Sequence, residues 1–323
     1  MSKPKVFVTR RWPASVEAKL KALYDVTLNT DDRPLTADEF KSALQNYDAV
    51  CPTVCDTLPA DVINVENKRC KILGNFGVGY NHIDINAAKT QGLIVTNTPG
   101  VLTHSTADIA MTLLLMSARR GAEGDRLVRA KQWQGWCPTH MLSSDVTGAT
   151  LGLIGFGRIA QAMAKKAHHG FSMKIVYFKP SPADEYVTDD LSATRCDSIE
   201  ELLQVADYVS LHCPGGETTH HLINADMLNL MKPSAHLINT ARGDVVDSDA
   251  LINALKNKRI AGAGLDVYEG EPKVHEGFLT LDNVSLLPHL GSATLGTRTA
   301  MGEKVLANLA AFFAGDHLPD RVI

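Results

Sequence analysis

The chain has 323 residues, 45% of them hydrophobic, and 32 basic against 36 acidic side chains give a net charge of −4. That length suits about two domains, and the near-balanced charge excludes a polybasic nucleic-acid surface or membrane anchor. The longest apolar stretch, residues 109–116, is far too short to span a bilayer. Met1-Ser2-Lys3-Pro4-Lys5 leads straight into the strand-like Val6-Phe7-Val8-Thr9 without a secretory apolar region, so a cytoplasmic location is expected. The six cysteines fit neither zinc-ligand nor secreted-disulfide spacing, and Cys51 and Cys55 are expected to be reduced, half-buried thiols.

From the N-terminus, strands are predicted over 5–9, 24–28, 49–54, 71–75 and 94–96. Helices are predicted between them over 14–22, 36–45 (capped by Thr36), 60–65 and 83–89. This alternation predicts a parallel sheet covered by helices. Asn97-Thr98-Pro99-Gly100 ends the region with strong turn chemistry. The helix expected next, over 105–119, is apolar almost all round and is read as buried between domains.

The most informative stretch follows. Residues 149–154 read as a buried strand, Gly155-Phe156-Gly157-Arg158-Ile159-Ala160 as a turn, and 159–169 as a helix with Ile159, Met163 and Ala167 on one face. A strand turning on glycines into a helix aims free N–H groups and the positive helix end at one spot, where a pyrophosphate fits. Gly155 permits the tight turn, Gly157 the approach of phosphates, and small Ala160 close helix–strand packing. Alone, the pattern also fits a plain strand–helix turn; its flanks favour a dinucleotide site.

A second alternation runs on, with strands predicted over 174–178, 208–211, 236–239, 264–267 and 284–287. Helices are predicted over 199–204, 225–230 and 248–257, with a last long helix over 291–315. The fold class is therefore α/β, with two Rossmann-like or flavodoxin-like domains on parallel sheets. The N-terminal domain is expected to be discontinuous and completed by the C-terminal helix. The boundaries read as 1–99 with 292–323 for a substrate-binding domain and 100–291 for the dinucleotide-binding domain.

Chemistry gathers at the predicted strand ends, where ligands bind in such sheets. Ile238-Asn239-Thr240-Ala241-Arg242-Gly243 delivers an arginine suited to gripping a carboxylate through two parallel hydrogen bonds. In Asp266-Val267-Tyr268-Glu269-Gly270-Glu271-Pro272, the proline restricts Glu271. Pro288-His289-Leu290-Gly291-Ser292 sets a histidine between strand and helix, and a glutamate beside it raises its proton affinity and fixes its tautomer. Taken singly, Arg242 also reads as a surface arginine and His289 as a structural histidine. The glycines of Asn75-Phe76-Gly77-Val78-Gly79-Tyr80-Asn81 expose N–H groups able to hold an anion.

Together these runs resemble the D-isomer-specific 2-hydroxyacid dehydrogenase family along essentially the whole chain. The wording of Gly74–Asp84 and Thr96–Leu102 is most similar to its glyoxylate/hydroxypyruvate reductase branch. The resemblance implies that Arg242 holds the substrate carboxylate, His289 is the acid/base and Glu271 pairs with it. Val78 and Gly79 would take the carboxylate from the other side. It implies cofactor contacts at Thr106, Gly155, Gly157, Arg158, Ile159, Lys179 and Ser181. Further contacts would come from Cys213, Pro214, Thr240, Asp266, His289, Gly291 and Ser292.

The expected reaction is reduction of a small 2-keto acid to the D-2-hydroxy acid. The alternatives are a larger keto acid such as phenylpyruvate, or a dinucleotide-sensing corepressor-like module. Formate chemistry is disfavoured, because its members pair the histidine with glutamine and not glutamate. Lys179 stands where an NAD-preferring site presents Asp or Glu, so NADP(H) is favoured with NAD(H) still open. NADP-preferring relatives usually carry arginine at the position of Pro180, so this chain departs from their pattern there. No metal site is read in His168-His169 or His220-His221, since adjacent helical histidines point apart. Trp133 and Trp136 fit either packing or, by resemblance, an arm crossing to a second subunit of a homodimer. Neither nucleic acid nor membrane is expected as a partner.

Overall fold

Short apolar runs separated by polar turns give this chain two all-parallel sheets. The computed structural model describes residues 2–181, 183 and 185–323, with Glu185 and Tyr186 described by backbone alone. It divides into two units, Met1–Leu102 with Ala293–Ile323, and Thr103–Ser292.

The first unit alternates β1 (Lys5–Val8), α1 (Ala14–Leu23), β2 (Asp25–Leu28), α2 (Ala37–Asn46), β3 (Ala49–Cys51), α3 (Ala60–Ile63), β4 (Ile72–Gly74), α4 (Ile85–Thr90) and β5 (Ile94–Thr96). The strand order β2-β1-β3-β4-β5 is the flavodoxin-like one. Every residue of β3 and β4 is buried, as strands covered on both faces must be. Helix α2 starts on a reciprocal cap: the Thr36 hydroxyl accepts from the Glu39 N–H, and the Glu39 carboxylate accepts from the Thr36 N–H at 2.8 Å.

The second unit runs α5 (Thr103–Ala118), α6 (Gly121–Arg129), β6 (Thr150–Ile154), α7 (Arg158–Phe171), β7 (Lys174–Phe178), α8 (Glu185–Asp190), β8 (Thr194–Arg195) and α9 (Ile199–Val205). It continues through β9 (Tyr208–Leu211), α10 (Ala225–Leu230), β10 (His236–Asn239), α11 (Ser248–Lys256), β11 (Gly262–Leu265), α12 (Glu276–Leu279) and β12 (Val284–Leu286). Its order is β12-β11-β10-β9-β6-β7-β8. Counted from β6, the chain moves outward through β7 and β8, then returns to the other side of β6. That is the doubly wound order with its switch point between β6 and β9. Helix α7 packs closely because Ala160, Ala162, Met163, Ala164 and Ala167 form its buried face.

The last helix, α13 (Leu295–Ala314), belongs to the first unit and packs on α1 and β4. Asn308 anchors the tail behind it, donating to the Asp320 carboxylate at 2.9 Å and accepting from the Asp320 N–H at 3.0 Å. The helix starts four residues later than the sequence predicts, because the Thr294 hydroxyl takes the N-cap by accepting from the Thr297 N–H.

Two further expectations are corrected. Helix α5 is not buried all round: Asp108 and Thr112 are exposed, and Asp108 pairs with Lys166 of α7 at 2.8 Å. Cys51 and Cys55 do not share a half-buried environment. Strand β3 ends at Cys51, which is fully buried, so Cys55 falls in the turn beyond it and is exposed. Among the described residues no helix is long and apolar enough to cross a membrane.

Candidate active site

In a parallel sheet every strand ends on the same edge. Along that edge of the second unit, in strand order, lie His289 beyond β12, Asp266 beyond β11, Thr240 and Arg242 beyond β10, Cys213 and Pro214 beyond β9, Gly155 beyond β6, and Lys179 beyond β7. Every candidate residue of this unit that follows a strand therefore falls on one side of one sheet.

The turn between β6 and α7 lies at the switch point. Gly155 has φ +85°, and a Cβ there would stand 2.8 Å from the backbone of His212 and Cys213. Only glycine fits. Gly157 caps α7 without any side-chain hydrogen bond, and a Cβ on it would face open space. The N–H groups at the start of α7, Arg158 and Ile159 included, meet no acceptor among the described residues. Thr240 adds a buried hydroxyl with no partner among the described residues. A buried polar atom left this way calls for a ligand. These features fit a bound dinucleotide. Burial pushes the Cys213 thiol up to about 11, which makes it a packing group and a poor nucleophile.

The catalytic candidates are built by three loops. His289 Nδ1 meets Glu271 Oε2 at 2.8 Å, and the two side chains are 32% and 33% exposed. The other carboxylate oxygen, Oε1, accepts from the Tyr268 N–H at 2.9 Å, so Glu271 is held at both ends. Burial pushes its carboxyl up, but the hydrogen bond and charge of His289, the Tyr268 N–H and the charge of Arg242 outweigh it. The group lies below the usual carboxylate range. An ionised Glu271 places the ring proton on Nδ1 and leaves Nε2 for a reacting oxygen.

His289 itself sits at φ +55°. Asp266 holds it there. The Asp266 carbonyl accepts from the His289 N–H at 3.0 Å, and its carboxylate accepts from the N–H groups of Leu290 at 2.7 Å and Gly291 at 2.8 Å. Thr106 closes this network by donating to the Gly291 carbonyl at 3.1 Å. Burial raises the Asp266 carboxyl above its ordinary value.

Arg242 is half-buried, and burial pulls its guanidinium below its ordinary value against the charges of Glu271 and Asp244. Asn239 shapes its loop by donating to the Arg242 carbonyl at 2.8 Å and accepting from the Ala241 N–H at 3.0 Å. Gly243, next in the chain, packs against the backbone leading to Glu271: a Cβ would lie 1.9 Å from the Tyr268 carbonyl carbon. Gly243→Ala must displace one loop or the other. We expect a loss of about 1–3 kcal/mol in stability and a fall in activity, measured by urea unfolding and steady-state rates. Unchanged values for both would show that the two loops are independent.

In the first unit, the loop carrying Val78 and Gly79 follows β4. Asn75 Nδ2 donates to the carbonyls of Gly77 at 3.1 Å and Gly79 at 2.9 Å, and Asn97 Nδ2 donates to that of Val78 at 2.9 Å. Three consecutive carbonyls are thereby tied down. No acceptor among the described residues meets the N–H groups of Val78 or Gly79.

Lys179 is half-buried and Ser181 exposed, with no carboxylate among the described residues bonded to either. Beside them stands a residue that the sequence did not single out, Arg195 of β8, whose guanidinium donates to the carbonyls of Lys179 and Pro180.

One histidine expectation is corrected. His220 and His221 do not point apart; their rings stack at 4.0 Å. They follow a 3-10 turn, with extended backbone at His220 and φ +49° at His221, so the rings fold to one side. With Glu269 they bring three potential ligand atoms within 4.8 Å of one another. The hydrogen bond from His221 Nε2 to Glu269 Oε1, 2.7 Å, accounts for the closest two. Glu269 also accepts from the Ser248 N–H at 3.1 Å, so this cluster braces the loop that carries Glu271.

A doubly wound parallel sheet with a glycine turn at its switch point, and a carboxylate–imidazole pair on the same edge, defines a dinucleotide-binding oxidoreductase. Residues 111–291 match the family model described as the D-isomer specific 2-hydroxyacid dehydrogenase, NAD binding domain. The chain belongs to that family, whose members act on 2-hydroxy acids. It is 44% identical over 324 residues to the glyoxylate reductase of Thermococcus litoralis, covering 99% of this chain and 97% of the relative. It is 37% identical over 315 residues to the glycerate dehydrogenase of Hyphomicrobium methylovorum, covering 98% of each. Among solved structures, the NADPH-dependent glyoxylate/hydroxypyruvate reductase of Sinorhizobium meliloti, in complex with NADP and malonate, superposes with a TM-score of 0.88 at 34% identity. That match covers 99% of this chain and 97% of the other.

Proposed function

We propose that this protein reduces a small 2-keto acid, glyoxylate or hydroxypyruvate, to the corresponding D-2-hydroxy acid, with NADP(H) preferred over NAD(H). The observation that carries the reading is the 2.8 Å pair of His289 and Glu271 in the electrostatic reach of Arg242. A reduced nicotinamide, when bound, supplies a hydride to the keto carbon. Arg242 grips the carboxylate and stabilises the charge that builds on the keto oxygen. His289, protonated at Nε2, delivers the proton to that oxygen, and Glu271 stabilises the imidazolium that donates it. The first unit is read as the substrate-binding domain, and the N–H groups of Val78 and Gly79, which meet no acceptor among the described residues, are read as donors suited to a carboxylate.

The cofactor preference rests on Lys179 and Ser181. A carboxylate in place of the lysine would repel a 2′-phosphate, whereas an ammonium attracts it. The names of the relatives agree with small substrates. A homodimer fits the exposed Trp133 and Trp136, 55% and 82% accessible. A cytoplasmic location fits six free cysteines.

The test is a panel of 2-keto acids assayed with both reduced cofactors by the absorbance of the nicotinamide. Glyoxylate or hydroxypyruvate with NADPH is expected to give the highest kcat/KM. Faster turnover of phenylpyruvate moves the substrate to the larger class, and no oxidation across the panel favours a binding module. A preference for NADH of about tenfold, ~1.4 kcal/mol, overturns the cofactor assignment.

A further inference from the structure

Strand β7 ends at Phe178, and its neighbour at the sheet margin, β8, is only two residues long. The register pairs Val176 with Thr194 and Tyr177 with Arg195, and the Cys196 N–H donates to the Tyr177 carbonyl at 2.8 Å. From that position the Arg195 side chain runs past the end of β7. Its Nε donates to the Lys179 carbonyl at 3.4 Å, and its Nη2 donates to the carbonyls of Lys179 and Pro180, each at 3.3 Å. The guanidinium therefore lies against the turn at which a Rossmann sheet meets the 2′ position of an adenosine ribose.

Three features make this more than a turn brace. Of the five N–H donors of an arginine, those on Nη1 meet no acceptor among the described residues, and no carboxylate among them pairs with Arg195. Pro180 has no N–H, so the backbone between Lys179 and Ser181 offers one donor fewer to an anion. Lys179, the other cation at the turn, is a point charge that cannot present the paired donors a phosphate accepts.

We infer that Arg195 is a specificity-determining residue for the cofactor. It holds the Lys179–Ser181 turn and, with Lys179, forms a two-cation clamp for a phosphomonoester on the adenosine 2′ position. The inference rests on the NADP(H) reading and extends it to a residue of the neighbouring strand. The guanidinium comes from the side, across a strand pair, and not from the turn itself.

The experiment measures calorimetric affinities of the full-length protein for adenosine 2′,5′-bisphosphate and for adenosine 5′-monophosphate, with unfolding temperatures as a check. In wild type the bisphosphate is expected to bind more tightly. Arg195→Ala is expected to weaken the bisphosphate by about tenfold, the scale of a partly exposed charged hydrogen bond, while leaving the monophosphate within about twofold. Arg195→Lys, which keeps the charge but loses the fork, is expected to recover part of the loss. Equal weakening of both ligands in Arg195→Ala would reduce the residue to a brace and overturn the clamp, as would unchanged affinity for both. A wild-type protein that binds the monophosphate as tightly as the bisphosphate overturns the NADP(H) reading itself, a result visible before any variant is made.

Discussion

His289→Gln is expected to lower kcat by about 10²–10⁴-fold, the usual contribution of a positioned general acid, with dinucleotide binding retained. Glutamine offers an N–H donor of similar reach but has no proton to give up. Nδ1 is committed to Glu271 at 2.8 Å, which leaves Nε2 as the one ring position available to the keto oxygen. The dinucleotide turn belongs to β6, four strands along the sheet from β12, so the substitution does not touch it. The backbone must be watched, because His289 sits at φ +55° and left-handed geometry costs a bulky residue about 1–3 kcal/mol. His289→Asn controls for this, since asparagine tolerates that conformation better. Both variants should lose turnover alike while retaining dinucleotide binding by fluorescence titration. Turnover within about threefold of wild type in either would remove His289 as the acid.

Much of this arrangement can be read from the chain, for physical reasons. Parallel strands covered on both faces are short apolar runs, and β3, β4, β9 and β10 are buried at every position. Glycine at Gly155 is demanded by a positive φ and a neighbouring backbone, so the turn marks itself in the sequence. The features that stayed hidden lack such signals. Helix α6 buries no residue. Strand β8 has two exposed residues, and Arg195 reaches Lys179 only through strand pairing. The grip of Asp266 on Leu290 and Gly291 spans 24 and 25 residues, and no local pattern reports it. The stacking of His220 on His221 depends on the backbone sign at one residue. Helical spacing could not supply it.

Arg242→Ala should be as damaging as loss of the acid, but in a different way. Removing one partner of a close charged pair costs about 2–5 kcal/mol, or roughly 30- to several-thousand-fold in kcat/KM. Burial already pulls the Arg242 guanidinium below its ordinary value, so part of its desolvation is met by the fold before substrate arrives. A carboxylate that binds it gains a cation in a poorly screened setting. Because the same group faces the oxygen on which charge develops, KM should rise and kcat should fall together. Arg242→Lys separates the two effects. It keeps a charge for the carboxylate but cannot present two parallel donors, so KM should recover further than kcat. A variant whose KM rises with kcat intact would confine Arg242 to binding. One in which neither changes would place the substrate anion elsewhere.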